Sequence, residues 1–229
     1  MTTTSPARLD GSLANVDSSG RIRLTAAALA ASSLTVIVLL ATTPWGDRLN
    51  SGADEILTYD KLLDGRDIAW PSMLLDAFAF AVIGLTAGLG VLHLAQTRGR
   101  VTALLGAALS TAGGILFAMS GTAFATLVWF ISAEGLPQGA GQSLVDYAND
   151  HPGHLIGPSI AGFVLTAIAA LVLSVALIRA RAVPIPAVIV YIALTLVQFA
   201  GPQGRALDFL QIAMMTLLIG FAATIWRRA

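Results

Sequence analysis

Apolar residues along this chain come in long blocks separated by short polar runs, and the blocks set the expected structure. Six of them cover approximately residues 23–44, 72–96, 101–131, 155–178, 184–200 and 207–226. A helix that crosses a bilayer needs about 20 predominantly apolar residues at a rise of about 1.5 Å each. The second, fourth and sixth blocks meet that length comfortably. The fifth is short, and Pro184 and Pro186 suit the first turn of a helix. The third is too long for one perpendicular span and too short for two. It predicts one tilted or extended helix, interrupted near Ser120 and Gly121, with its end projecting outward. The expected fold class is therefore an all-α integral membrane protein, a six-helix transmembrane bundle forming a single domain over residues 21–229.

The polar runs refine this picture. Residues 1–20 hold Ser, Thr, Gly and Asp without an apolar period, which predicts a disordered or loosely ordered polar cytoplasmic tail. The apolar run from Leu24 to Ala41 exceeds the roughly 7–15 residues of a signal-peptide core, so an uncleaved first span is expected. Between the first two spans, Ser51 is placed to cap a short helix through Leu63, with Gly65 as its stop. Ser143 is placed to cap a second short helix that ends at Asp150, before Pro152. Both are expected as short amphipathic helices in the two longer outer loops.

Charge orients the bundle. Arg21 and Arg23 precede the first span, Arg98 and Arg100 join the second to the third, Arg179 and Arg181 join the fourth to the fifth, and Arg227 and Arg228 follow the sixth. Every second connection is thus basic, the pattern that predicts cytoplasmic N and C termini. The alternate connections hold Asp47, Asp54, Glu55, Asp60, Asp64, Asp67, Glu134, Asp146 and Asp150. Trp45, Trp70 and Trp129 fall at the expected outer boundary and Trp226 at the inner one, where amphipathic rings favour the headgroup level.

Composition changes the picture in three ways. Hydrophobic residues make up 56% of the chain and charged residues only 11%, too few to clothe a soluble domain of this size. There is no cysteine, which excludes disulfides and thiol chemistry. A single lysine, Lys61, beside many Ala, Gly and Arg residues fits a GC-rich bacterial genome, hence a plasma membrane. The lipid bilayer is the first expected partner, and no basic surface for nucleic acid is present.

Small residues recur four apart in three spans. Gly84 and Gly88, then Gly106, Ser110 and Gly114, then Gly162, Thr166 and Ala170 predict close approach of the second, third and fourth spans. Candidate chemistry is confined to span ends. Asp76 and Asp208 sit a few residues inside the outer ends of the second and sixth spans, with Asp150 and His154 at the start of the fourth and Glu134 after the third. Asp76, Asp208 and His154 are the candidate catalytic set of an outward-facing polar pocket, with Arg205 as counter-ion. Carboxylates and an imidazole at one depth can bind a divalent ion, relay protons or act as acid and base; the residues name neither metal nor cofactor. His93 lies at the opposite depth from His151 and His154, which excludes a two-histidine haem site. Ser120 has no Gly two residues before it and the last span has no His, which excludes an intramembrane serine protease. Tyr191, Gln198 and Gln211 are assigned to hydrogen bonds between helices.

Three function classes remain. A small transporter or channel-like protein, favoured by class frequency, would hold a cavity reaching mid-membrane for a small apolar or lipid-like ligand. A membrane-embedded enzyme would close an outer Asp/His pocket on a lipid or envelope substrate. An accessory or scaffold subunit, bound to another membrane protein or to its own copies, would be a solid bundle.

Overall fold

The structure is a computed structural model that describes residues 10–42, 58–201 and 205–229. The described residues form helices joined by short connections, with no strand: α1 Asp10–Thr42, α2 Tyr59–Leu94, α3 Arg100–Ile131, α4 Gln138–Asp150, α5 Pro152–Ala180, α6 Ile185–Gln198 and α7 Arg205–Arg228. Five of these contain stretches long and apolar enough to cross a membrane: Ser18–Thr42, Arg66–Leu94, Arg100–Ile131, Ile156–Ala180 and Arg205–Arg228. The apolar helix α6 has 14 residues, about 21 Å of rise against a hydrocarbon core of about 30 Å. Large apolar side chains stand exposed all round the bundle, among them Phe78 at 67%, Val101 at 83% and Ile189 at 55%. A water-soluble surface rarely exposes such continuous apolar area, so these helices mark a membrane-embedded protein.

The helices form a ring in which α1 packs on α2, α2 on α3, α3 on α5, α5 on α6, α6 on α7, and α7 back on α1. Neighbours alternate in direction. Trp70 near the start of α2 meets Trp129 near the end of α3, with ring centroids 5.6 Å apart. At the other end, Arg179 of α5 donates to Thr102 Oγ1 of α3. Ser19 Oγ donates to the carbonyl of Ala229 at 2.6 Å, so the start of the first span and the chain's last residue lie together. The arginine pairs therefore gather at one end of the bundle, and Asp60, Asp67, Glu134, Asp146 and Asp150 at the other.

The seams joining α3 to α2 and α5 are built from small residues. A Cβ on Gly84 would stand 2.5 Å from the carbonyl of Ser110, and one on Gly88 2.7 Å from Cα of Ala107. A Cβ on Gly113 would stand 2.5 Å from Thr166 Oγ1 and 2.9 Å from the carbonyl of Gly162. The backbones touch, which is how helices associate in a medium as apolar as their own side chains. The expected single face of Gly106, Ser110 and Gly114 is divided: Ser110 and Gly114 meet α2, and Gly106 meets Leu173 of α5. α3 presents two small faces, because it is clasped from both sides.

Several local expectations are corrected. The helix stopping at Gly65 is not a separate element; α2 runs without a break from Tyr59 through Gly65 and Pro71. Tyr59, Leu62, Ala69 and Met73 are buried at helical spacing against Ala125, Val128 and Ile131 of α3 and Val145 of α4. That stripe stays in phase across Gly65, so packing carries the helix past its weak point. The Ser51 cap lies outside the described residues. The second outer helix exists as α4, but it starts at Gln138 after Pro137, and Ser143 lies inside it with its hydroxyl on the carbonyl of Gly139. α3 has no interruption at Ser120 and Gly121: Ser159 Oγ of α5 donates to Ser120 Oγ at 2.7 Å, and Gly121 faces Ala77. α1 begins at Asp10, within the stretch expected to be loosely ordered. Once the apolar span has nucleated a helix, each added residue gains a hydrogen bond, and the helix propagates back into the polar tail.

Candidate functional site

The tight seams lie on one side of the ring. Between α2, α3, α5, α6 and α7 the bundle encloses a cavity of about 80 Å³, several times the space one water needs. α2 contributes Phe80, Ile83 and Gly84, and α3 contributes Gly114 and Phe117. α5 contributes Phe163, Thr166, Ala167 and Ala170. α6 and α7 supply the phenol, the amides and the soft side chains: Tyr191, Thr195 and Gln198, then Gln211, Met214, Met215 and Leu218. Phe80 and Phe117 pack with centroids 4.6 Å apart at one wall. Phe163 packs on Phe199 at 5.5 Å, at the end where α6 stops.

A second chamber of about 50 Å³ continues toward the arginine-rich end. Its further walls are Ala87 and Val91 of α2, Ser110 of α3, Leu173, Ser174 and Leu177 of α5, and Phe221 of α7. From Phe80 to Val91 the two chambers follow α2 for about 16 Å, roughly half of a hydrocarbon core. Beyond them the arginine-rich end is filled by a buried apolar cluster that includes Ala95, Ala103, Ala176, Ala182 and Ile225.

The sequence assigns three polar side chains of the first chamber to interhelical hydrogen bonds. One of them makes such a bond: Gln198 Nε2 donates to Met214 Sδ at 2.9 Å. Among the described residues, neither the Tyr191 hydroxyl nor the Gln211 amide has a hydrogen-bond partner, and both line the chamber. Thr195 spends its hydroxyl on the carbonyl of Tyr191 at 2.8 Å. Among the described residues, no charged side chain lines either chamber. The signal was in the spacing. Tyr191, Thr195 and Gln198 follow i, i+4, i+7, and Gln211, Met214, Met215 and Leu218 follow i, i+3, i+4, i+7 on α7, so each set is one helix face.

The sequence-expected outer set is placed differently. Asp76 is half-buried on α2, four residues before Phe80, and Asp208 is buried on α7, three residues before Gln211. Each carboxylate therefore stands about one helical turn beyond a cavity wall residue, on the same face of its helix. His154 is exposed in the first turn of α5 and lines neither chamber, and Asp150, Glu134 and Arg205 are exposed at the same end. His151 stacks on Tyr147 with centroids 4.2 Å apart. Among the described residues, no three His, Asp or Glu side chains gather as a metal-holding group.

No protein-family model, curated protein or solved structure matches the chain.

Proposed function

We propose that this is a six-span membrane protein of the small-carrier type, with both termini cytoplasmic, which takes an uncharged, mainly apolar molecule into the chamber at the centre of its bundle. The observation that carries the reading is the lining: aromatic and Met walls, no charge, and two unpartnered hydrogen-bonding groups, Tyr191 Oη and Gln211. Sites for small molecules have this make-up, a largely apolar surface with a few polar groups that fix orientation. An unpaired polar group at this depth is costly unless a ligand or water completes it. A scaffold subunit needs no such space, and an enzyme acting through the outer carboxylates would not need a chamber reaching this far below them.

In this reading Asp76 and Asp208 belong to a polar mouth, one turn above the chamber, a role that needs neither metal nor acid–base chemistry. Six spans are supported by the gathering of the arginine pairs at one end, together with the contact between the start of α1 and the end of α7. The plasma membrane of a bacterium is the expected location, from the amino-acid usage.

The test uses dodecanol, an uncharged chain with one hydroxyl. Protein in lipid nanodiscs is exposed to it and examined by native mass spectrometry. One dodecanol is expected to stay bound to the wild type, and none to Ala167→Phe, whose added ring would occupy the chamber. Equal binding by both proteins, with both folded, would sink the proposal. So would equal binding of a charged analogue such as dodecyltrimethylammonium.

A further inference from the structure

The two chambers adjoin one another. Ile83, Thr166, Ala170, Tyr191 and Leu218 line both, one or two residues from each of four helices. Tyr191 stands at the middle of α6, Thr166 at the middle of α5 and Leu218 close to the middle of α7. These five residues therefore mark the level, near the middle of the bundle, at which one chamber gives way to the other.

Tyr191 is the bulkiest of the five. The phenol packs edge-on against Phe221, a wall of the inner chamber, with centroids 5.6 Å apart and planes at 72°. Its hydroxyl is tied to no described side chain or carbonyl. The ring is thus held by packing alone, on the helix that is shortest among those lining the cavity. A side chain so placed can change rotamer without breaking a hydrogen bond.

We infer that Tyr191 is the barrier between an outer chamber that admits molecules and an inner chamber that continues the route, so that passage through the bundle requires its phenol to swing aside. The inference rests on the carrier reading and deepens it, by naming the residue that decides whether an occupant stays in the outer chamber or goes on.

Because the chain has no cysteine, a single introduced thiol is an unambiguous reporter. Gln211→Cys places one in the outer chamber and Ser174→Cys one in the inner chamber. In proteoliposomes, a small water-soluble methanethiosulfonate is added from the acidic side and the labelling rates are compared. Gln211→Cys is expected to react while Ser174→Cys is protected. With Tyr191→Ala, Ser174→Cys is expected to react at the rate of Gln211→Cys, and with Tyr191→Phe to stay protected. Tyr191→Leu serves in place of Tyr191→Ala if the latter does not fold, with Gln211→Cys labelling in the same background reporting an intact outer chamber. The barrier is refuted if Ser174→Cys reacts freely with Tyr191 in place. It is refuted equally if Ser174→Cys stays protected after the ring is removed while Gln211→Cys still reacts. Loss of dodecanol binding would remove the carrier reading and leave these labelling results standing, so the two can fail separately.

Discussion

The strongest test of the packing is Gly113→Ala, a change of one methyl group at the seam between α3 and α5. The new Cβ would stand 2.5 Å from Thr166 Oγ1, 2.8 Å from the Thr166 nitrogen and 2.9 Å from the Gly162 carbonyl. Ordinary carbon contacts lie at about 3.5–4.0 Å, so the shortfall is roughly 0.6–1 Å. Two of the three obstructing atoms are backbone, which no rotamer change relieves. α3 and α5 must therefore separate, and a gap of that size forfeits about a quarter to a half of each dispersion contact along the seam. Overpacking of this kind costs about 1–3 kcal/mol, a roughly 5- to 150-fold fall in the folded-to-unfolded ratio. Gly220 provides the contrast, since a Cβ there meets nothing within 4 Å. On that exposed face of α7, Gly220→Ala is expected to be neutral or stabilising by up to about 1 kcal/mol, from helix propensity. Thermal unfolding of the detergent-purified variants, followed by size exclusion, gives the comparison. If Gly113→Ala melts with or above Gly220→Ala, the close seam is wrong.

Other expectations follow from particular contacts. Arg66 lies with its guanidinium 4.1 Å from the Trp129 ring centre, and Trp70 packs on the same ring; a double-mutant cycle between Arg66→Met and Trp129→Leu is expected to show a coupling of about 0.5–2 kcal/mol, and a coupling near zero would remove the pair. The Ser159–Ser120 bond joins α5 to α3; the same kind of cycle with alanines should give about 0.6 kcal/mol, the average for hydrogen bonds between membrane helices, read from unfolding in mixed micelles. Single cysteines introduced as Thr97→Cys and Gly135→Cys, both at exposed positions, should be labelled from opposite sides of oriented vesicles, and labelling from one side would overturn the alternating topology. Asp76→Asn and Asp208→Asn, if these groups form the mouth, should slow dodecanol uptake while leaving its final occupancy unchanged; a loss of occupancy would place them inside the site.

The membrane helices were legible because their signal is an average over many residues. No single substitution erases a block of the length and hydropathy of Ile156–Ala180, and the arginine pairs repeat with the period of the spans. Boundaries depended on local chemistry and were less secure. Gly65 looks like a stop on propensity alone, yet a buried stripe from Tyr59 to Met73 carries the helix through it. Ser143 resembles a cap, but a helix beginning five residues earlier turns its hydroxyl back onto Gly139. The chamber was harder still. Tyr191, Gln198 and Gln211 were visible as polar residues in apolar helices; whether they face each other, a neighbour or an empty space depends on how far apart α5, α6 and α7 stand, and one chain's sequence does not state that distance.

The hollow lies where it does for a reason that can be traced to side-chain size. On α2, α3 and α5 the facing positions are Gly84, Gly88, Ala107, Gly113, Gly114 and Gly162, so these backbones close onto one another along the seams that α3 makes with α2 and α5. α6 carries no glycine, has branched or aromatic residues at most positions, and is short. It cannot approach α5 as α3 does, so it stands off and completes the ring at a greater distance. Its partner α7 faces inward with Met214, Met215 and Leu218, flexible side chains that border an irregular space without filling it. The polar groups Tyr191, Thr195, Gln198 and Gln211 all belong to α6 and α7, and α3, clasped on both sides by backbone contact, contributes none of them. The close seam of α2, α3 and α5 thus faces α6, the helix with the fewest close neighbours among the spans that line the cavity, and Tyr191 projects from that helix.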